Sequence, residues 1–310
     1  MKHHAAVSHP DLLVGIGTGD DAGVYSLGDG RALVQTVDIF TPVVDSPRDW
    51  GRIAAANALS DIYAMGATPL TALQFLAWPR DTLPFSAATE VIEGGMDVMS
   101  AAGCTVVGGH TIDGPEPTYG FAVTGTAALE EVVSNSGAGD GDELILTKPL
   151  GMGVITTAIK RGTCPPALAE RAIDIMATLN DVAGRALREH GATAATDVTG
   201  FGLLGHLLEM CRESGTSAVV ELGSVPVMEG VAELLASGMW AGGSQRNLEA
   251  IRDDLTTHHD IEAVKPLIDA QTSGGLLISV PSIRVQQFLD AVPGSARIGE
   301  LASGKGIRVA

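Results

Sequence analysis

The hydrophobic pattern of the first 66 residues predicts a strand followed by a helix. Residues 31–38, RALVQTVD, form a short apolar run that ends in a carboxylate, which is typical of a buried strand. Residues 46–66 then have helix signals at both ends. Ser46 can cap the first turn, Pro47 suits the first helical position, and Gly66 is well placed to end the helix. This order of elements indicates a mixed α/β chain.

The alternation of strands and helices continues to residue 128, is interrupted by a linker, and then starts again. The linker is the Gly- and Ser-rich segment 134–142. Further strands are predicted at 69–78, 104–110, 119–129, 143–150, 192–197, 218–222, 275–280 and 296–301. Further helices are predicted at 86–103, 151–162, 166–191 and 200–215. The pattern therefore predicts an α/β (α+β) fold with two domains, residues 1–139 and residues 140–310.

Composition supports a protein with large cores and a cytoplasmic location. Apolar residues make up 45% of the chain and aromatic residues only 4%, which favours closely packed layers with tight turns. No apolar run reaches the ~18–20 residues of a membrane helix, and the first residues lack the apolar core of a secretory signal. The three cysteines, Cys104, Cys164 and Cys211, are too far apart to indicate a disulfide framework or a metal site. We expect Cys104 and Cys211 to be inert core thiols, and Cys164 to be exposed.

Net charge narrows the choice of partners. The chain has 37 acidic and 19 basic residues, which gives a net charge of −18. A surface this negative repels a phosphate backbone, so nucleic acid is not expected as a partner. It also repels ATP, and a nucleotide would therefore need divalent cations to bind.

Four aspartates lie where α/β proteins commonly bind ligands. Asp21, Asp38 and Asp197 end predicted strands or begin Gly-rich turns. Asp61 lies four residues after Asn57 and shares its face of the first predicted helix, which is otherwise small and apolar. A buried carboxylate needs a partner, and hard cations such as Mg²⁺ take carboxylate and amide oxygens. The pattern predicts a magnesium–nucleotide site, and the alternative for Asn57 and Asp61 is a helix cap or a water-satisfied pair.

Three Gly-rich stretches accompany these aspartates. Residues 17–25 and 195–206 would let backbone N–H groups approach phosphates, although Gly and Asp also simply make turns. No GxxxxGK[ST] loop is present. The strand predicted at 104–110 runs into a Gly- and Pro-rich loop, 108–120, in which His110, Asp113 and Glu116 face either a ligand or solvent.

Together these stretches resemble the selenophosphate synthetase (selenide, water dikinase) family from residue 10 essentially to the C-terminus. The wider superfamily includes aminoimidazole ribonucleotide synthetase, thiamine-phosphate kinase and a hydrogenase maturation protein. The segments that carry the resemblance are DDAGVY, TVDIFTPVVDSPRDWGRIAAANALSDIYAMG, GGHTIDGPEP, LTKPLGMGV, ATDVTGFGLLGHLLEM and QTSGGLL.

The resemblance implies a fold and an activity. It implies an N-terminal α/β domain that dimerises through its sheet, followed by a C-terminal α+β domain. The reaction of the family converts ATP, selenide and water to selenophosphate, AMP and phosphate, with Mg²⁺ required. The partners implied for this chain are therefore ATP, selenide and a second copy of itself.

The resemblance also assigns roles to individual positions. The metal ligands implied are Asp21, Asp61 and Asp197. The nucleotide-site carboxylates implied are Asp38 and Asp61. A nucleotide-binding turn is implied at Thr18, Gly19 and Asp20. A second nucleotide-binding segment, reached across the dimer, is implied at Gly109, His110 and Thr111.

One departure from the family concerns catalysis. The family has an N-terminal Gly-rich segment in which a Cys or selenocysteine is followed three residues later by Lys. No Cys precedes Cys104 in this sequence, and Lys2 has no such neighbours. A smaller departure is Ala270, where the family usually has proline. The sequence therefore predicts no catalytic side chain, and we expect the chain to fold, to bind magnesium–nucleotide, and to make selenophosphate slowly or not at all.

Two other functions remain open at this point. One is a related ATP-dependent kinase that acts on a small molecule other than selenide. The other is a protein that binds nucleotide without turning it over.

Overall fold

A computed structural model describes residues 9–310; Lys2 and the rest of residues 1–8 lie outside the described residues. The chain divides into two compact units. The first runs to Val132 and also includes Ile173–Asp181, and the second contains Val133–Ala172 and Val182–Ala310. No helix among the described residues is both long enough and apolar enough to cross a membrane.

The first unit is a six-stranded sheet with two helices. Its strands are β1 (Leu12–Val14), β2 (Gly23–Ser26), β3 (Arg31–Phe40), β4 (Thr68–Trp78), β5 (Thr105–Asp113) and β6 (Thr118–Ala128). Its helices are α1 (Pro47–Ala64) and α2 (Phe85–Ala101). The strand order is β1-β2-β3-β6-β4-β5, and the pairing is antiparallel except between β4 and β5.

Helix α1 is buried along nearly its whole length, as its sequence predicts. The side chain of Ser46 accepts from the Asp49 amide and Pro47 is the first helical residue, so the expected start signals both operate. Alanines fill most of the middle of the helix, which lets it pack closely against the sheet and against α2. The polar exceptions in this buried middle are Asn57, Ser60 and Asp61.

The second unit is built on a seven-stranded mixed sheet. Its strands are β7 (Asp142–Leu146), β8 (Ala194–Asp197), β9 (Thr216–Val220), β10 (Leu255–Thr257), β11 (Leu276–Pro281), β12 (Ala296–Ser303) and β13 (Ile307–Val309). The strand order is β10-β13-β9-β12-β7-β11-β8. The remaining helices are α3 (Met152–Lys160), α4 (Pro166–Ala177), α5 (Asp181–Glu189), α6 (Gly202–Ser214), α7 (Val231–Ala236), α8 (Gly242–Ile251), α9 (Ile261–Ile268) and α10 (Val285–Ala291). The core between α6 and the sheet includes Leu144, Leu203, Leu207 and Ile298.

Two predictions of local structure are wrong. Residues 108–113 are not a loop but the end of β5, because this segment pairs in parallel with β4 as far as Trp78 and Asp113. Gly109 suits this position, since a Cβ atom there would lie 2.1 Å from the carbonyl oxygen of Gln74. The helix predicted at 166–191 is two helices, α4 and α5. Asn180 lies between them and donates to Ser60 Oγ of α1 at 2.9 Å, a contact within the first unit.

The α1–α2 contact depends on glycine and yields a stability prediction. A Cβ atom at Gly51 would lie 1.9 Å from the carbonyl oxygen of Val91, and one at Gly94 would lie 2.0 Å from that of Arg48. Gly51→Ala should therefore lower the free energy of unfolding by about 1–3 kcal/mol, because two backbones must move apart. Urea unfolding followed by tryptophan fluorescence measures this. Gly17→Ala is the control, since a Cβ there meets nothing within 4 Å; equal stability of the two variants would contradict the argument.

Candidate functional site

The turn between β1 and β2 presents an open, glycine-containing surface. The hydroxyl of Thr18 donates to the carbonyl oxygen of Gly15 at 3.0 Å, which closes the turn. Gly19 has a φ of 66°, a left-handed conformation that favours glycine. Cβ atoms at Gly17 and Gly19 would meet nothing within 4 Å, so the space beside the turn is free of protein. The backbone of the predicted nucleotide-binding turn is therefore accessible to a ligand.

This turn lines a cavity of about 850 Å³ within the first unit. Thr18, Asp20 and Asp21 form part of its wall. The rest of the wall comes from β1, the start of β2, residues 35–37 of β3, and Ala122 of β6. A cavity of this volume falls within the range of small-molecule sites.

Two predicted metal ligands lie together in the first unit. Asp61 of α1 is buried, and its Oδ2 accepts a hydrogen bond of 2.5 Å from the hydroxyl of Thr36 on β3. A carboxylate oxygen of Asp21 lies within 4.8 Å of one of Asp61. Two carboxylates at this separation repel each other by about 3 kcal/mol at an effective dielectric of about 20. Carboxylate oxygens are also the donors that hard cations prefer, so these two residues fit a magnesium ion.

Asp38 is held by the same helix. The Nδ2 of Asn57 donates to its Oδ2 at 2.5 Å. Burial raises the pKa of Asp38 to about 6, and the hydrogen bond from Asn57 opposes that rise. The hydrogen bonds Thr36–Asp61 and Asn57–Asp38 therefore both join β3 to α1. The two strand residues are two positions apart, and the two helix residues are four positions apart.

The second predicted nucleotide-binding segment is far from the first within this unit. Gly109, His110 and Thr111 are exposed residues of β5. Strand β5 lies at one edge of the sheet and β1 at the other, with β2, β3, β6 and β4 between them. Four strand spacings of about 4.8 Å separate β5 from β2. One copy of this sheet therefore does not bring Gly109–Thr111 to the turn at Thr18–Asp21.

Asp197, the predicted metal ligand of the second unit, is the buried last residue of β8. It pairs with Leu276 of β11, and the next amide, of Val198, donates to the Gly275 carbonyl at 2.9 Å. Lys148, which sequence reasoning did not identify, lies near it. Burial lowers the pKa of Lys148 to about 7, while the charge of Asp197 opposes that shift. Its Nζ donates to the Ser273 carbonyl at 3.2 Å. The only signal in the sequence was a single lysine directly after the apolar strand ELILT.

The glycines that follow Asp197 are explained mainly by packing. A Cβ atom at Gly202 would lie 2.6 Å from the Ile268 carbonyl oxygen, and Gly202 has a φ of 71°. A Cβ atom at Gly205 would lie 2.8 Å from the Cβ of Phe201. Only at Gly200, among these three, would a side chain meet open space. The prediction that these glycines leave room for phosphates can therefore apply only to Gly200 among the three.

The three cysteines show no sign of activation. Cys104 and Cys211 are buried, and burial raises the pKa of each to about 11, which confirms them as inert core thiols. Cys164 is half-buried rather than fully exposed, and burial also raises its pKa. A nucleophilic thiol needs a lowered pKa, so none of the three has the environment of one.

Comparison with known proteins identifies the family. The sequence matches the AIR synthase related protein N-terminal domain over residues 19–127 and the corresponding C-terminal domain over residues 139–310. It is 48% identical over 293 residues to a selenide, water dikinase of Geobacter metallireducens, covering 93% of this chain and 83% of the relative. It is 46% identical to that of Myxococcus xanthus, covering 96% of this chain and 86% of the relative.

Solved structures support the fold. The thiamine-monophosphate kinase of Stenotrophomonas maltophilia has a TM-score of 0.72 at 24% identity, covering 97% of this chain and 91% of that one. Hydrogenase maturation protein HypE in complex with ATP has a TM-score of 0.69 at 22% identity, covering 95% of this chain and 82% of that one. The similarity to the selenide, water dikinases over nearly the whole length confirms the resemblance seen in the sequence. The chain belongs to the selenide, water dikinase family, within the AIR synthase related proteins.

Proposed function

We propose that this protein uses ATP to make selenophosphate from selenide and water, with release of AMP and phosphate. The observation that carries the proposal is the cavity of the first unit, which is lined by the open Gly turn and by Asp21. A carboxylate oxygen of Asp61 lies within 4.8 Å of one of Asp21. Relatives that are 44–48% identical are named for the same activity. A cytoplasmic location agrees with this activity, since selenide and ATP are both available to a cytoplasmic enzyme.

The first unit would bind the magnesium–nucleotide. Asp21 and Asp61 would hold Mg²⁺, and Asp197 is proposed as a metal ligand in the second unit. Bound Mg²⁺ would neutralise the charge that develops on the phosphates during phosphoryl transfer. The chain's own contribution is positioning: Thr36 fixes one oxygen of Asp61, and Asn57 fixes one oxygen of Asp38. The turn at Thr18–Asp20 would offer backbone N–H groups to the phosphates.

We propose separate roles for the two predicted domains. Residues 1–139 would form the nucleotide-binding, metal-binding and dimerisation domain. Residues 140–310 would form the C-terminal α+β domain, which contributes Asp197.

A second copy of the chain would complete the nucleotide site. One face of the first unit's sheet is covered by α1 and α2, whereas the other has a group of exposed apolar side chains. Its most exposed members are Val37, Leu70, Leu73 and Val107, with exposed fractions of 51–61%. Contiguous exposed apolar side chains are uncommon on monomers, which supports this face as the proposed interface.

His110 lies on this apolar face. It pairs with Phe75, which pairs with Gly120, which in turn pairs with Ile39, so the four residues form one row across the sheet. Directly paired residues share a face, and Ile39 is exposed on the open one. A partner that covers this face would therefore contact the segment Gly109–Thr111. A nucleotide site that uses both edges of the sheet would then take one edge from each copy.

The proposed reaction has a direct test. The protein is incubated without oxygen with ATP, Mg²⁺ and selenide, and products are followed by phosphorus NMR. We expect a selenophosphate signal that grows slowly, together with AMP and phosphate, and that requires selenide. AMP formation that ignores selenide would contradict the proposal. Transfer of phosphate to a hydroxyl substrate would favour the related kinase, and magnesium-dependent ATP binding without any AMP would favour a binding protein.

The proposed ligands can be tested by single charge removal. Asp21→Asn, Asp61→Asn and Asp197→Asn each remove one negative charge while nearly preserving shape. Loss of one charged ligand should weaken binding of a non-hydrolysable ATP analogue at fixed Mg²⁺ by at least about tenfold. Isothermal titration calorimetry measures the affinity. Asp253→Asn, at an exposed position, is the matched control. Wild-type affinity in all three variants would rule out the proposed metal site.

The dimer can be tested by placing a charge on the open face. Leu73→Glu should convert the protein from a dimer, twice the 31.8 kDa of one chain, to a monomer, because each copy would bury a carboxylate. Light scattering gives the mass, and nucleotide affinity should fall in the same variant. Ile283→Glu is the control, since Ile283 is 82% exposed and belongs to the second unit. A monomeric Leu73→Glu variant that binds nucleotide with wild-type affinity would exclude the shared site, as would a monomeric wild-type protein that binds nucleotide.

A further inference from the structure

We propose that His206 is a positioning residue for Asp197, acting through a hydrogen bond that fixes the segment directly after β8. The inference rests on the proposed function, in which Asp197 binds a metal ion. His206 was visible in the sequence only as the end of the Gly-rich stretch ATDVTGFGLLGH, and no role followed from that position.

The ring nitrogen of His206 that faces this segment must be an acceptor. His206 lies in the second turn of α6 and is 7% exposed. Its Nε2 is 3.2 Å from the backbone nitrogen of Thr199, and a backbone N–H can only donate. The Nε2 therefore presents its lone pair, and the proton of the neutral ring is on Nδ1. The ring also stacks at a tilt against Phe201, with centroids 5.4 Å apart.

The protein environment keeps the ring in that state. A protonated imidazole has two donors and no acceptor, so its Nε2–H would face the Thr199 N–H directly. Burial lowers the pKa of His206 to about 4, which leaves the ring neutral at physiological pH. The hydrogen bond to Thr199 is therefore present under working conditions.

This bond completes the anchoring of the residues that follow Asp197. The Val198 amide donates to the Gly275 carbonyl at 2.9 Å, and the Thr199 carbonyl accepts from the amides of Gln271, at 2.9 Å, and Gly202, at 3.0 Å. Each of these bonds joins backbone to backbone. The Thr199 amide, in contrast, is held by a side chain. A substitution at residue 206 can therefore remove the hydrogen bond to the Thr199 amide without altering the residues that flank Asp197 in the chain.

The same contact argues against two other roles for His206. A metal ligand needs its lone pair free for the ion, and a general base needs it free for a proton. The Nε2 lone pair is already directed at the Thr199 amide, and the Thr199 hydroxyl is 3.3 Å from the same nitrogen. His206 therefore acts on Asp197 through the backbone. Partners of this indirect kind commonly change metal affinity by about 10- to 100-fold when they are removed.

The test compares variants that keep or lose the acceptor. In His206→Gln the amide oxygen can occupy the place of Nε2, whereas His206→Leu fills similar volume without an acceptor. His206→Asn is a second polar variant, whose shorter side chain does not reach the Thr199 amide. The control is His190→Leu, at a half-buried histidine of the same unit that contacts Phe288. Binding of Mn²⁺, used in place of Mg²⁺, is measured by electron paramagnetic resonance, and folding by thermal unfolding.

We expect a graded result. His206→Leu and His206→Asn should bind Mn²⁺ about tenfold or more weakly, whereas His206→Gln and His190→Leu should remain within about threefold of wild type. In an Asp197→Asn background, His206→Leu should have no further effect, since both changes act through one ligand. Equal weakening in His206→Gln and His206→Leu would overturn the proposal, as would additive losses in the double variant. If His206→Leu does not fold, the comparison rests on His206→Gln and His206→Asn. Equal Mn²⁺ affinities of those two variants would overturn the positioning role.

The outcome also separates this inference from the proposed function. If the His206 variants bind Mn²⁺ normally while wild type makes selenophosphate, only the positioning role is wrong. If wild type and His190→Leu bind no Mn²⁺, the metal site is wrong and the positioning role is wrong with it.

Discussion

The pairing of β3 with α1 through two partly buried hydrogen bonds is the constraint on which the candidate site depends. Thr36 and Asp38 are two residues apart on a strand and so share a face at a spacing of about 7 Å. Asn57 and Asp61 are four residues apart on a helix and share a face at about 6 Å. These spacings match, so Thr36 binds Asp61 while Asn57 binds Asp38. A one-residue slip of β3 would turn both strand residues to the open face and break both bonds.

The electrostatics of the first unit follow from the same pairing. It places Asp38 and Asp61 between a strand and the middle of a helix that is mostly buried and rich in alanine, where a negative charge is unfavourable. Burial raises the pKa of Asp38 to about 6, which agrees with such a cost. Neutral hydrogen-bond donors such as Thr36 and Asn57 orient a carboxylate but do not neutralise it. With a net charge of −18, the chain as a whole adds to the negative potential rather than relieving it. In the proposed function, divalent cations would reduce this negative potential, and a phosphate ligand would need them in order to approach.

The sequence predicted those parts of the structure that depend on local signals. Strand β3 and helix α1 were identified because their apolar pattern, cap and terminating glycine agree, and the spacing of Asn57 and Asp61 pointed to a shared face. The end of β5 was missed because pairing with β4 outweighs the local preference of Gly108 and Gly109 for a loop. Lys148 and His206 were missed for a different reason. Their importance comes from burial and from contacts with residues 125 and seven positions away, respectively, and neither leaves a periodic pattern.

The order of strands in the first sheet ties nucleotide binding to self-association in the proposed dimer. The turn at Thr18–Asp21 and the strand that bears His110 lie at opposite edges, so a site built from both requires two chains. The apolar face between those edges is where the second chain would pack, and His110 lies in a row with that face. A nucleotide that contacts both copies then stabilises the dimer by the same free energy by which dimerisation strengthens nucleotide binding. In the proposed dimer, the exposure of apolar side chains on this sheet and a nucleotide site that uses both of its edges would have one physical explanation.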